Sequence, residues 1–413
     1  MTEATPLHPG GFRGVLAASA LRYRDFRVLW FSSIFGGAAY TGETVVLGWL
    51  LLDLTDSAFF VGLGVALRAL PNFLLGIPGG ALVDRFDRRL VIRFVGFGSG
   101  LSAGLLGILA LADALTVGLI LGMTFVSGAL RSLSQTARQT YAFDIVGGSQ
   151  VVGGLALMAL SGRAGGIIGP LVAGILLAAA GAGEAYLMMS GCLFVSGLLL
   201  VLARTPGQAA PDARPPIWQG LKEFASELRN NSSLRALVVL TAAVEILGFS
   251  HQAVLPSLAR DMLHVGAEGL GLLYAFTAVG GVIVFLKVTL GGELQNKGRS
   301  FLAVLLVFGV ALVFLGVSGS LLVALLAILL VSAMAGLSDL LSQSLIQSAV
   351  ANDLRGRAMG SWILAIGLGP VGHLQIGALA GLFGVTAALA TNGSLLVVLA
   401  GLVLLTTKQI RRL

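Results

Sequence analysis

The chain has 413 residues, of which 56% are hydrophobic and only 11% charged, with a formal net charge of +7. Soluble domains carry about 25% charged residues, so this chain cannot dress the surface of a soluble globule and must be solvated largely by lipid. Glycine, at 58 residues, is about twice as frequent as usual and shows no triplet period, which suits helices that approach closely within a bilayer.

A bilayer core of roughly 30 Å needs about 20 apolar residues per helix. Apolar runs bounded by charges, prolines and glycines predict an all-α membrane protein with twelve spans at 26–52, 58–83, 89–111, 115–138, 149–179, 184–203, 235–257, 267–291, 300–318, 320–346, 356–381 and 384–407. The long runs divide at Gly181-Ala182-Gly183 and at Ser318-Gly319. The expected plan is a cytoplasmic N-terminal segment (1–25), a six-helix bundle (26–203), a connection (204–234), a second six-helix bundle (235–407) and a cytoplasmic tail (408–413).

An even number of spans puts both termini on one side, and lysine and arginine choose the side because cytoplasmic loops retain them. Arg13, Arg22, Arg24 and Arg27 precede span 1, Arg85, Arg88, Arg89 and Arg93 follow span 2, and Lys408, Arg411 and Arg412 close the chain. Arg68, Arg131, Arg163 and Lys287 fall within spans, and Arg260 is the one basic residue of an odd-numbered loop. Both termini are therefore expected in the cytoplasm, with the chain in a bacterial inner membrane, and the positive charge answers to lipid headgroups rather than nucleic acid. In the connection, Ile217, Trp218, Leu221, Phe224, Ala225 and Leu228 recur at helical spacing against Lys222, Glu223, Glu227 and Arg229. This fits a helix lying on the membrane face or a solvated linker helix.

Cys192 is the only cysteine, and it makes no metal cluster with four scattered histidines, so neither a structural metal nor a cofactor is expected. No Gly-Lys pair occurs, which excludes a P-loop. Gly367-Leu368-Gly369-Pro370-Val371-Gly372 spells GxGxxG but follows no strand, and HExxH is absent. The chain is expected not to be an enzyme.

The two halves carry a faint repeat. Ser134-Gln135 and Gln139 in span 4 match Ser342-Gln343 and Gln347 in span 10 at a separation of 208 positions, and Gly169-Pro170 in span 5 matches Gly369-Pro370 in span 11. The same separation relates Arg131 to Asp339 and Glu43 to His251, suggesting two charged pairs facing across a cavity. Arg131, Ser134, Gln135 and Arg138 share a face of span 4, as do Asp339, Ser342 and Gln343 on span 10, Tyr40, Glu43 and Thr44 on span 1, and Thr241, Glu245, Gly248 and Gln252 on span 7. Ionisable groups at the bilayer centre cost at least about 2.5–3.5 kcal/mol each, so these stripes are expected to face a cavity. Glu43, Glu245 and Asp339 are candidate proton carriers, with a structural pairing to His251 or Arg68 the alternative for Glu43. Tyr40, Arg68, Arg131, Ser134, Gln135, Arg163, Thr241, His251, Gln252, Ser342 and Gln343 are candidate cavity residues, with structural pairing or packing the alternative for each.

Gly80-Ala81-Leu82-Val83-Asp84-Arg85-Phe86-Asp87-Arg88-Arg89 resembles the loop signature of the major facilitator superfamily, with Asp87 where that family has glycine. Gly165-Gly166-Ile167-Ile168-Gly169-Pro170-Leu171-Val172-Ala173-Gly174 looks like the same superfamily's antiporter motif. Arg68-Ala69-Leu70-Pro71, Thr136-Ala137-Arg138-Gln139 and Asp353-Leu354-Arg355-Gly356-Arg357 narrow the resemblance to bacterial drug and siderophore exporters of the enterobactin-exporter type. The resemblance implies two pseudosymmetric six-helix halves with a site between them, and a conformational latch of Asp84, Arg85, Arg88 and Arg89 against the start of span 11. It also implies an export-associated seam at Gly165, Gly169, Pro170 and Gly174. The function implied is proton-coupled export of amphipathic small molecules by a monomer in the bilayer. The alternatives are an importer or uniporter of small solutes, or a protein handling lipid or lysolipid.

Overall fold

The computed structural model describes residues 20–147, 150–208, 231–291, 296–350 and 355–406, and twelve helical spans there are long and apolar enough to cross a membrane. The helices are α1 (Arg24–Thr55), α2 (Ala58–Arg85), α3 (Arg88–Leu111), α4 (Val117–Val146), α5 (Val151–Ala179), α6 (Ala182–Leu199), α7 (Ser232–Leu247), α8 (Ala267–Gly291), α9 (Lys297–Gly316), α10 (Leu321–Ser348), α11a (Arg355–Ile366), α11b (Gly369–Phe383) and α12 (Val385–Thr406). Their starts follow the polar residues that interrupt the apolar runs. Side chains of Asp87, Thr116, Asn231 and Ser320 accept from backbone amides in the first turns of α3, α4, α7 and α10, which satisfies donors that a helix leaves open. Asp87 thus caps α3 with φ −59°, a conformation that needs no glycine.

Two expected spans are broken. Span 7 leaves α-geometry at Gly248, runs as a 3-10 helix over Phe249–Val254, and ends in a π-turn, Leu258–Met262. Span 11 divides into α11a and α11b because Pro370, in the first turn of α11b, has no N–H and its ring excludes the carbonyl four residues back. Pro170, its counterpart in the repeat, is instead carried inside the continuous α5.

Helices α1–α6 and α7–α12 pack as two six-helix halves. Chain direction puts the start of α1 and the end of α12 at one end of the bundle, the terminal end, and the α1–α2 and α7–α8 connections at the far end. The halves meet principally along two seams, α2 against α11b and α5 against α8. Each seam is glycine on glycine. A Cβ on Gly62 would stand 3.1 Å from the Gly377 Cα, and one on Gly174 would stand 3.1 Å from the Gly271 Cα. Both contacts lie toward the far end, where Arg260 also reaches across to donate to the Leu52 carbonyl at 3.1 Å and to pair with Asp56. The main apolar core follows this division. It is continuous across the halves through residues such as Val46, Leu51, Val254 and Leu255, while a separate cluster of Phe26, Leu29, Ile92, Tyr141 and Leu200 closes the first half alone at the terminal end. At that end α11a packs on α7 and α10.

The start of the connection is stapled to the first half. Asp25 accepts from the amides of Arg204 and Thr205 and from the Thr205 hydroxyl, at 2.8, 2.6 and 2.7 Å. Asp87 accepts from the Gly207 amide and Asp144 from that of Gln208. The helix expected around 217–228 lies outside the described residues.

Candidate functional site

The polar stripe of α4 opens onto a cavity of about 490 Å3. Its walls come from α1, α3, α4, α5 and α6, all in the first half: Ser33, Gly36, Tyr40 and Glu43 from α1, Arg131, Ser134, Gln135, Arg138 and Gln139 from α4, Leu155 and Met158 from α5, with Val95, Leu193 and Ser196 behind. Most of these residues lie in the parts of their helices nearer the terminal end.

Glu43 is 6% exposed. It accepts from Arg68 Nη2 at 3.1 Å and from the Ser127 hydroxyl at 3.0 Å. Arg68, 5% exposed, also donates to Thr44 Oγ1 at 2.8 Å and to the Tyr40 carbonyl at 2.6 Å. The Tyr40 ring lies 3.8 Å from the Arg68 guanidinium carbon and 3.2 Å from that of Arg131. Arg138 donates to four hydroxyls, those of Ser32, Ser33, Ser134 and Ser196, at 2.9–3.1 Å.

The second half holds a different arrangement. Glu245 and Asp339 face each other across a recess of about 10 Å3 lined by Thr241, Phe249, Phe301, Ser338 and Ser342, room for one water at most. The Gln343 side chain stands beside the Asp339 carboxylate, and Arg163 is within electrostatic range of it. Neither Glu245 nor Asp339 makes an ion pair among the described residues.

The expected single cavity across spans 1, 4, 7 and 10 is therefore divided. Tyr40, Glu43, Arg131, Ser134 and Gln135 line one chamber, and Thr241, Glu245, Asp339 and Ser342 line the other. Arg68 is buried behind Tyr40, Arg163 packs against Gly281 of α8, and His251 lies in the 3-10 stretch with Nδ1 2.7 Å from the Gly248 carbonyl. Gln252 offers its carbonyl to the Tyr274 hydroxyl. These four are outside both chambers. The pairings of Arg131 with Asp339 and of Glu43 with His251 are not made. Arg131 is turned onto Tyr40, while Arg68 on the adjacent α2 reaches Glu43 before anything on the opposite half can.

The loop signature lies at the terminal end, between α2 and α3. The Asp84 side chain lies outside the described residues, and Arg85 is exposed. Arg88 pairs with Asp144 on α4 at 2.7 Å, and Arg89 pairs with Asp87 and donates to the carbonyls of Ala203 and Arg204. These partners of Arg88 and Arg89 belong to the first half. The glycine motif of α5 is a double-sided seam: Gly165 and Gly169 admit the α1 backbone at Gly37 and Ala38, while Pro170 and Gly174 meet Gly271 of α8.

Sequence reasoning placed Arg138 on the cavity-facing stripe of α4 but missed Gln139, which continues that stripe, and it missed Asp56 as the partner of Arg260.

A family described as transmembrane secretion effector matches residues 16–412. The enterobactin exporter EntS of Salmonella typhi is 29% identical over 377 residues, covering 87% of this chain and 86% of that protein. The same exporter from Citrobacter koseri is 27% identical over 367 residues with the same coverage. A staphyloferrin A transporter of Staphylococcus aureus is 22% identical over 351 residues, covering 84% of this chain and 87% of that one. Among solved structures, the nucleoside transporter NupG, as a mutant, matches with a TM-score of 0.77 at 12% identity, covering 93% of this chain and 100% of that one. A bacterial homolog of the human lysosomal transporter Spinster, in an inward-facing and unoccupied conformation, matches with a TM-score of 0.68 at 15% identity, covering 94% and 95%.

Proposed function

Because the chain belongs to the transmembrane secretion effector family of the major facilitator superfamily, we propose that it is a proton-coupled exporter of amphipathic small molecules such as siderophores or drugs. In this reading the terminal end is cytoplasmic, as its arginines favour, and the chain stands open to the cytoplasm. The observation that carries it is the chamber on the α4 stripe, toward the terminal end of a bundle whose halves are joined by seams toward the far end. Cargo enters from the cytoplasm, the halves rock about the seams, and the chamber is presented outside.

Glu245 and Asp339 are the proton carriers in this scheme. Two carboxylates sharing a small recess cannot both ionise cheaply, so a proton taken up there changes the charge of the second half without breaking an ion pair. Glu43 has a different role: already held by Arg68 and Ser127, it fixes the floor of the chamber. A ligand or proton moves such an equilibrium only by its differential affinity for the two conformations.

The test uses everted membrane vesicles given an inwardly acidic gradient and a panel of iron-free siderophores and fluorescent amphipathic dyes. The expected result is gradient-driven accumulation inside the vesicles, abolished by a protonophore and by Glu245→Gln or Asp339→Asn. Accumulation in right-side-out vesicles, or accumulation in everted vesicles indifferent to the gradient, would overturn the proposal.

A further inference from the structure

The chamber of the first half has too few negative charges. Arg131 and Arg138 line it, and among the described residues the one carboxylate in its wall, Glu43, is engaged by Ser127 and by Arg68, which is buried behind Tyr40. Arg131 is exposed to the chamber, lies on the Tyr40 ring and makes no ion pair among the described residues. Among the described residues Arg138 has only neutral partners, four serine hydroxyls. Charges within a membrane are ordinarily paired with one another or set in a watery cavity, and cation–π contact and hydroxyl oxygens solvate a guanidinium without cancelling its charge.

We propose that the missing counter-charge is brought by the cargo, and that the chamber selects amphipathic anions bearing a carboxylate or comparable oxyanion. This rests on the reading of the chamber as the cargo site. A planar guanidinium offers parallel donors that match a carboxylate in two-point contact, and Arg131 and Arg138 lie two turns apart on one face of α4. Ser134, Gln135 and Gln139, on the same face, add polar groups for further oxygens, while Leu155, Met158, Val95 and Leu193 supply an apolar wall. The volume of about 490 Å3 falls within the range of small-molecule sites. Anionic lipid headgroups offer the same oxyanion chemistry, so the test separates lipid from soluble ligand.

The protein is placed in nanodiscs of purely zwitterionic lipid, and its melting temperature and binding isotherms are followed with three probes of one shape: 2-naphthoate, 2-naphthamide and 2-naphthylmethylammonium. Naphthoate is expected to bind and stabilise, and the other two to bind at least about tenfold more weakly. Arg131→Gln and Arg138→Gln are each expected to weaken naphthoate by about tenfold or more. Arg131→Lys and Arg138→Lys, which keep the charge and guard against misfolding, are expected to retain the preference for anion over cation. Equal binding of the three probes, preference for the ammonium, unchanged naphthoate affinity in both glutamine variants, or stabilisation only by added phosphatidylglycerol would overturn the proposal. No proton gradient enters this measurement, so it fails or succeeds apart from the direction and coupling of transport.

Discussion

Glu43 and Arg68 are opposite charges with side chains only 7% and 4% exposed, and their worth is asymmetric. A buried pair contributes little net stability, but deleting one partner strands the other, at about 3–5 kcal/mol. Arg68→Ala is therefore expected to lower the melting temperature in detergent sharply, whereas Glu43→Leu with Arg68→Met recovers most of the loss. An unchanged melting temperature in Arg68→Ala would show that Glu43 has another cation within reach. That these residues share a polar interior was legible in the sequence, since an acid and an arginine in apolar runs have few other places to go. Their pairing was legible only as one of two, because His251 and Arg68 were both possible partners of Glu43. The repeat assigns Glu43 to His251, but a repeat relates helix positions and is blind to side-chain reach. The long Arg68 side chain spans the short gap between neighbouring α1 and α2, and the imidazole across the bundle does not.

At the scale of elements, the two glycine seams are where the halves bear on one another. A leucine at position 174 would have to enter the space held by the Ala267 carbonyl, 2.7 Å from a Cβ there, and by the Gly271 Cα. Gly174→Leu is expected to pry α5 from α8 and to disfavour the conformation with the far end closed. Spin labels on the far ends of α5 and α8 should then show a longer distance distribution. An unaltered distribution with normal folding would mean that the seam is not a close-packed stop. Helix existence and the glycine motif were readable because length and hydropathy decide them. The breaks in spans 7 and 11 were not, because proline tolerance is settled by neighbours. Pro170 stays inside α5, which packs on α1 on one side and α8 on the other, whereas Pro370 ends one helical piece and begins the next.

For the whole molecule, Arg260 stands apart as the basic residue on the side that the charge rule disfavours. The structure gives it an occupation: it joins Asp56 and the Leu52 carbonyl of the first half to Asp261 of its own. Asp56 is exposed, so the ion pair is worth about 1 kcal/mol or less and weakens with salt. That is still up to about a fivefold change in the population of two conformations. Arg260→Ala is expected to raise the fraction open at the far end by more than Asp56→Ala does, since it also releases the carbonyl contact. Distance measurements across the halves at low and high ionic strength check this. Equal effects of the two variants would confine the latch to the ion pair.

The staples on residues 204–208 have a mechanical corollary. Asp25, Asp87 and Asp144 make the opening of the connection part of the first half. At its other end, Asn231 caps α7 and donates to the Ala349 carbonyl, anchoring it to the second half. About 20 residues lie between these moorings, enough to reach roughly 70 Å at full extension. Each mooring therefore moves with its own half, and any motion of one half against the other is borne where α2 meets α11b and α5 meets α8.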